Sequence, residues 1–309
     1  MSKVTTAINL LRHNRGEFFA SILQHINFLF PDRLYLSLLF RFKMGYWINW
    51  KNPKTFSEKL QWLKLYNRNP EYTTVVDKYA VKEYVAKKIG EEYIIPTLGV
   101  WDSPKDIDWD SLPQKFVLKT THGGGGSGVV ICKDKATFDK ADAVAKLKRS
   151  LNKCIYKSLR EWPYKDVPKR IIAEAFLGES ISTKNDVGLS DYKFYCFNGE
   201  PQIMMVSVGR FSNNLCFDYY DMKWNKTSLQ LGGPNSDINH PCPPCFEEMK
   251  SLCRKLSKGI PHVRCDFYII NNRPLFGELT FFDGSGLMKF LDHTWNDKLG
   301  AMLELPFRD

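Results

Sequence analysis

Residues 119 to 130 read Lys-Thr-Thr-His-Gly-Gly-Gly-Gly-Ser-Gly-Val-Val, with glycine at 123, 124, 125, 126 and 128. Consecutive glycines let backbone N–H groups converge on an anion more closely than any Cβ permits. Lys119 adds a point charge of the kind that phosphates recruit. The pattern is not a P-loop, because no glycine is followed by Lys-Ser or Lys-Thr after four spacers. Gly123, Gly125 and Gly128 fit the dinucleotide fingerprint, but that fingerprint opens a helix, and Val129-Val130-Ile131-Cys132 reads as a strand. The protein-kinase form GxGxxGxV also fits, yet the chain has neither the His-Arg-Asp nor the Asp-Phe-Gly tripeptide that a kinase needs. What remains is a glycine loop between two strands, entered from Lys119. Such a loop would close as a lid over nucleotide phosphates.

Phosphates under a lid call for Mg²⁺, and Mg²⁺ calls for carboxylates at short range. The candidates are Asp266 in Val-Arg-Cys-Asp-Phe-Tyr and Glu278 in Phe-Gly-Glu-Leu-Thr-Phe. Each lies in an apolar strand, where an unpaired charge is costly. On neighbouring antiparallel strands the two side chains would face one ion. Read singly, either is a salt bridge to Lys or Arg.

The elements that must position these groups are legible in outline. The first 50 residues read as helix, break at Pro31, helix. Thr55–Tyr66 reads as a capped helix, with Thr55 or Ser57 as N-cap. Asp77–Ile89 is a second helix closed by Gly90, and an extended run starts at Ile94. Ser103–Pro113 reads as a linker before the strand Lys115–Thr120. Lys140–Leu159 is helical and basic, and Arg170–Phe176 is a strand. Asp191–Phe197 and Gln202–Val208 flank Asn198-Gly199, a strong hairpin signal. Glu247–Ser257 is a helix, and Val263–Ile270 and Pro274–Phe281 flank Asn271-Asn272. Hairpins mixed with helices imply α+β lobes rather than a doubly wound sheet. The divisions are a helical extension 1–50, an N-terminal subdomain 51–114, a glycine-loop lid 115–175 and a C-terminal subdomain 176–309 with the metal site.

Bulk composition narrows the class. The 309 residues carry 44 Lys+Arg against 34 Asp+Glu, a net +10 that attracts anions. No zinc-finger, homeodomain or RNA-binding aromatic signature accompanies the charge, so no nucleic-acid partner is expected. Eight scattered cysteines without a secretory signal imply reduced thiols in the cytoplasm. His240, Cys242, Cys245 and Cys253 offer a weak zinc pattern against a reading as unpaired thiols. Phe18–Phe42 is too interrupted to span a membrane. It reads as helices packing on the main body, with contact to an anionic membrane surface at the inner face as the alternative. Asp108-Trp-Asp110 has the spacing of a glycosyltransferase metal motif but lies in the linker, where a solvated turn is expected.

Strand, Lys119, glycine loop, strand with Glu174, then Asp266 and Glu278 on C-terminal strands resembles the ATP-grasp superfamily, and most closely its TupA-like branch, found in surface-polysaccharide gene clusters. The blocks that carry the resemblance begin at Lys54-Thr-Phe-Ser-Glu-Lys-Leu-Gln-Trp, Asp77-Lys-Tyr-Ala-Val, Ile89-Gly-Glu-Glu-Tyr, Phe116-Val-Leu-Lys-Thr, Arg170-Ile-Ile-Ala-Glu, Asp191-Tyr-Lys-Phe-Tyr and Phe276-Gly-Glu-Leu-Thr-Phe. They run from about residue 51 to the end. The resemblance implies two α+β lobes gripping ATP, with residues 1–50 as an addition.

The resemblance also implies roles. Lys119 would hold the α/β phosphates, with Lys78 adding to phosphate or adenine binding. Gly124, Gly125, Gly126, Ser127 and Gly128 would cover the β/γ phosphates. Glu174, Ala175, Phe176 and Leu177 would form the adenine-side hinge. Lys193 would reach the triphosphate and Arg264 the transferring phosphoryl or oxyanion. Asp266 and Glu278 would ligate Mg²⁺. Thr280 stands where many such enzymes have Asn, which leaves a second metal in question. His122, Arg210, Asp283 and Ser285 are the candidate substrate contacts. The implied reaction is ATP-dependent amide formation through an acyl phosphate, joining an amino acid or amino sugar to a uronic-acid-containing saccharide. Rival readings are a polysaccharide glycosyltransferase and a small-molecule kinase on the same fold.

Overall fold

The N-terminal segment folds as a helical pair, α1 (Arg15–His25) and α2 (Asp32–Met44), with Pro31 at the N-cap of the second. The coordinates are a computed structural model that describes residues 13–124, 126, 128–178, 191–208 and 215–306. Ala20 and Leu23 of α1 pack on Tyr35 and Leu39 of α2. The pair is pinned to the body by Asp32, which holds Arg68 at 2.7 Å and Arg160 at 2.9 Å.

Helix α3 (Phe56–Tyr66) begins at Thr55, whose hydroxyl and Glu58 form a reciprocal capping box. It is buried almost all round, so its polar Ser57, Gln61 and Lys64 must find partners inside. Two short helices follow, α4 (Glu71–Val76) and α5 (Ala80–Ile89). The second starts three residues later than the sequence suggests. Asp77 instead turns its carboxylate onto the Tyr79 and Ala80 N–H groups and onto Arg170 at 2.8 Å.

Strands β1 (Thr97–Trp101), β2 (Phe116–Thr120), β3 (Val129–Cys132) and β4 (Ile171–Ala175) form an antiparallel sheet in the order β1-β4-β2-β3. One face is closed by α6 (Lys140–Leu151), whose Ala143 and Leu147 meet Phe116, Leu118, Ile171 and Ala173. The expected helix 140–159 is two helices, because the chain turns at Asn152 before α7 (Ile155–Leu159).

The second sheet is built from β5 (Asp191–Phe197), β6 (Glu200–Val208), β7 (Cys216–Asp221), β8 (His262–Ile270) and β9 (Arg273–Thr280). Its order is β7-β6-β5-β8-β9, antiparallel throughout. Both predicted hairpin turns use left-handed backbone: φ is 51° and 90° at Asn198-Gly199, and 50° and 59° at Asn271-Asn272. One face packs on α8 (Phe246–Ser257), with Phe194, Cys196, Cys265 and Phe267 against Met249 and Cys253. Alternation along the strands turns the intervening residues toward the other sheet. Helix α9 (Thr294–Met302) returns to pack on α3, where its Asn296 accepts from the Ser57 N–H at 3.0 Å.

A buried histidine at the start of β8 makes the fold sensitive to acid. Nδ1 of His262 donates to the Cys196 carbonyl at 2.9 Å, while Nε2 is buried without a partner among aromatic rings. Burial lowers its pKa from 6.5 to about 4. The unfolded chain therefore binds this proton more readily, and the stabilisation is complete above pH 6.5 and lost as pH falls toward 4. The contribution over that window is about 3 kcal/mol. Urea melts of the native protein and His262→Phe should show the native protein losing more stability between neutral pH and pH 4.5. Parallel pH profiles would contradict this origin.

Candidate active site

The cleft between the two sheets is a cavity of about 1550 Å³. Its floor is set by strand register. Lys193 on β5 pairs with Asp266 on β8, and Asp266 pairs in turn with Glu278 on β9. One step along the same face, Tyr195 pairs with Arg264, and Arg264 with Thr280. Two cross-strand rows thus carry a cation and two carboxylates, then a phenol, a guanidinium and a hydroxyl. A bulge after Asp266 leaves Gly277 as the extra residue, where a side chain would press on the Asp266 carbonyl.

The charges of these rows are paired. Arg264 grips Asp266 through two hydrogen bonds of 2.7 Å and also donates to Asp283, to Glu278 at 3.3 Å and to Thr280 at 3.3 Å. Lys193 bonds Asp266 and lies 2.7 Å from Asp191. Burial raises the Asp266 carboxyl to about 6 even against the opposing pull of Arg264 and Lys193. Glu278 keeps a 40% exposed side chain, with Lys78 at 3.4 Å. Burial opposes its charge, but Lys78, Lys193 and Arg264 outweigh that and lower its pKa.

The roof comes from the other sheet. Lys119, at the end of β2, bonds Glu174 of β4 at 2.6 Å, and Lys82 of α5 bonds the other oxygen at 2.6 Å. Burial alone would raise the Glu174 pKa, yet the two lysines hold it below the usual value. The Lys78 N–H donates to the Thr121 carbonyl at 3.0 Å, tying the α5 entrance to the glycine loop. The loop joins β2 and β3 as a hairpin, the arrangement expected from the sequence. Gly128 has to be glycine, since a Cβ there would collide with the hydrogen-bonded hydroxyls of Thr120 and Ser150. Gly126, at φ +74°, takes the left-handed region.

Of the residues singled out from sequence, Lys78, Lys119, His122, Gly124, Gly126, Gly128, Glu174, Ala175, Phe176, Leu177, Lys193, Arg264, Asp266, Glu278, Thr280, Asp283 and Ser285 all line this one cavity. Gly125, Ser127 and Arg210 lie outside the described residues. Burial, reinforced by Lys169, holds His122 below the ordinary imidazole pKa and therefore neutral. Asp283, expected at the substrate, has its carboxylate taken by Arg264 and the Tyr195 hydroxyl. Ser285 is held by the fully buried Lys64, which reaches both its carbonyl and its hydroxyl at 2.8 and 2.7 Å.

Sequence reasoning missed Lys82, Asp191, Tyr195 and the buried charges Lys64 and Glu161. Only Lys82 left a signal, four residues from Lys78. The zinc pattern does not assemble. His240 bonds Asp218 at 3.0 Å, and Cys253 instead joins Cys196 and Cys265 in the core beneath β5 and β8. Asp108 of the Asp-Trp-Asp triplet caps the N–H groups of Asp110 and Ser111 in an exposed turn.

Asp266, Glu278 and the Thr280 hydroxyl offer the hard oxygen donors that Mg²⁺ takes, on adjacent register positions facing the cavity. The donor set fits that ion. In the structure Lys and Arg groups neutralise the same carboxylates.

The TupA-like ATP-grasp family model matches residues 58–304. Among solved structures, D-alanine–D-alanine ligase from Helicobacter pylori is 17% identical, with TM-score 0.42 over 80% of this chain and 69% of that one. The Bacillus anthracis D-alanine–D-alanine ligase complexed with ATP is 13% identical, with TM-score 0.38, over 67% of this chain and 54% of that one. The ATP-grasp ligase PsnB, complexed with Mg, ADP and a phosphomimetic variant of its minimal precursor, is 12% identical, with TM-score 0.39, over 73% and 58%. The chain spans little more than half the length of the latter two. Comparison with curated proteins gives no match. With the match running through both sheets and every row of the cavity floor, the chain belongs to the TupA-like ATP-grasp family.

Proposed function

We propose that this chain is an ATP-dependent carboxylate–amine ligase, and that its carboxylate belongs to a hexuronic acid, or to an amino acid on a growing surface polysaccharide. The observation that carries the reading is the Lys193–Asp266–Glu278 row lying across the cavity from Lys119 and the glycine loop. In this reading the triphosphate lies between roof and floor. The adenine sits against the apolar run Ala175–Leu177.

A carboxylate oxygen of the first substrate attacks the γ phosphorus, the bond to the bridging oxygen breaks, and ADP leaves. The amine nitrogen of the second substrate then attacks the acyl carbon, inorganic phosphate departs and the amine gives up a proton. Lys78, Lys119 and Lys193 answer the phosphate charge, and Arg264, locked by Asp266 and Asp283, presents a fixed guanidinium to the developing oxyanion. Mg²⁺, held by Asp266 and Glu278 with Thr280 beside them, would neutralise phosphoryl oxygens as a Lewis acid. The two sheets align the reactants, and the loop keeps water from the acyl phosphate.

A saccharide acid is supported by charge. Among the described residues nine Lys or Arg side chains line the cavity against six Asp or Glu, a surplus that suits a second anion beside ATP. Cytoplasmic reaction partners follow from the need for ATP. The test is ADP release across a panel of uronates, amino acids and amino sugars. ADP formed only when a carboxylate and an amine are both present supports the ligase. ADP formed with a single hydroxyl or carboxylate acceptor and a stable phosphorylated product would make it a kinase. UDP release from a UDP-sugar without ATP use would make it a glycosyltransferase.

A further inference from the structure

The α1–α2 hairpin precedes the matched family segment, yet it borders the cavity, since Gln24 and Lys43 belong to the lining. Helix α1 is apolar on two sides. Ala20 and Leu23 face the body, whereas Phe19 and Ile22 face solvent one stripe away. The turn that follows exposes Phe28 by 77% and Leu29 by 63%. On α2, Leu34 is exposed, and the Phe42 ring lies 5.6 Å from that of Phe19, so the outward stripes of the two helices adjoin. Bulky side chains at a turn tip add nothing to the core and cost solubility.

The charge around this apolar tip has one sign. Residues 13 to 54 hold six Lys or Arg and only two carboxylates. Both carboxylates are already neutralised, Glu17 by Lys43 and Asp32 by Arg68 and Arg160. Exposed Arg15 and Arg33 therefore stand beside exposed Phe and Leu with no free acid in the segment. Among the described residues no helix is long and apolar enough to cross a membrane. An exposed apolar stripe and tip accompanied by exposed basic side chains, Arg33 near the tip and Arg15 beside Phe19, is the pattern of a segment that lies in a bilayer interface.

We propose that the α1–α2 hairpin seats the enzyme on an anionic lipid surface. Ile22, Phe28 and Leu29 enter the headgroup–acyl boundary, Arg15 and Arg33 meet lipid phosphates, and the cavity is held beside the membrane. This inference stands apart from the ligase reading, because it predicts binding without turnover. The experiment is co-sedimentation of the full chain with phosphatidylcholine vesicles, with and without phosphatidylglycerol. The native protein should pellet with the anionic vesicles at low salt and be released by high salt. Phe28→Glu with Leu29→Glu should cut the bound fraction by about tenfold, with melting temperature and ATP affinity unchanged. Failure of the native protein to bind anionic vesicles, or equal binding by the double variant, would overturn the proposal. So would a native dimer that the two substitutions convert to a monomer, since the hairpin would then face a second copy of the chain.

Discussion

Replacing Glu278 by glutamine is expected to lower ADP formation by a hundredfold or more while leaving the fold nearly intact. The amide keeps the volume of the side chain and loses one oxygen ligand and the negative charge that Lys78, Lys193 and Arg264 surround. The proposed Mg²⁺ site then keeps Asp266 as its only carboxylate, and loss of a group that acts on developing charge costs roughly 10²–10³ in rate. Stability should change by at most about 1 kcal/mol, because the carboxylate is 40% exposed and its partner Lys78 lies 3.4 Å away. Steady-state ADP release and a thermal melt on the same preparation separate the two effects. A Glu278→Gln protein with native turnover would remove Glu278 from the metal set.

Arg264→Met should fail in the opposite way, through the fold as much as through the chemistry. The guanidinium is buried and joins Asp266, Asp283, Glu278 and Thr280. Removing it leaves the buried Asp266 and Asp283 carboxylates without their strongest partner. Breaking one side of a buried ion pair costs about 3–5 kcal/mol. Arg264→Lys should restore little, since an ammonium cannot reproduce the two parallel bonds to Asp266. Urea melts of both variants are the check, and a loss below about 1 kcal/mol for Met would contradict the pairing.

Much of this site was legible because its logic is local. Asn198-Gly199 and Asn271-Asn272 each supply two left-handed residues, and that alone fixes β5 against β6 and β8 against β9. The Asn271-Asn272 turn brings β8 and β9 together, but its register alone would set Gly277 opposite Asp266; the bulge at Gly277, which the sequence marks only by a glycine, is what brings Glu278 there. The strand after the glycines was equally plain from Val129-Val130-Ile131. What stayed hidden depends on how distant segments meet. For Glu174, expected at the adenine-side hinge, the hidden part is that β4 runs between β1 and β2 and sets Lys119 and Lys82 on its two oxygens. Nothing in the helix pattern marks Lys64, which is enclosed and paired with Ser285 from the far end of the chain. The break between α6 and α7 has no Gly or Pro to mark it. The apolar N-terminal run was rightly read as a helical pair, but which side chains turn outward is decided only by packing.

The glycine loop is the feature on which the whole reading first rested, and its partners now define the claim: a carboxylate is phosphorylated between Lys119 and the Lys193–Asp266–Glu278 row. The most direct measurement uses a carboxylate substrate labelled with oxygen-18, ATP, Mg²⁺ and an amine. Passage through an acyl phosphate transfers one labelled oxygen to the released inorganic phosphate. Amide product accompanied by unlabelled phosphate would contradict the account.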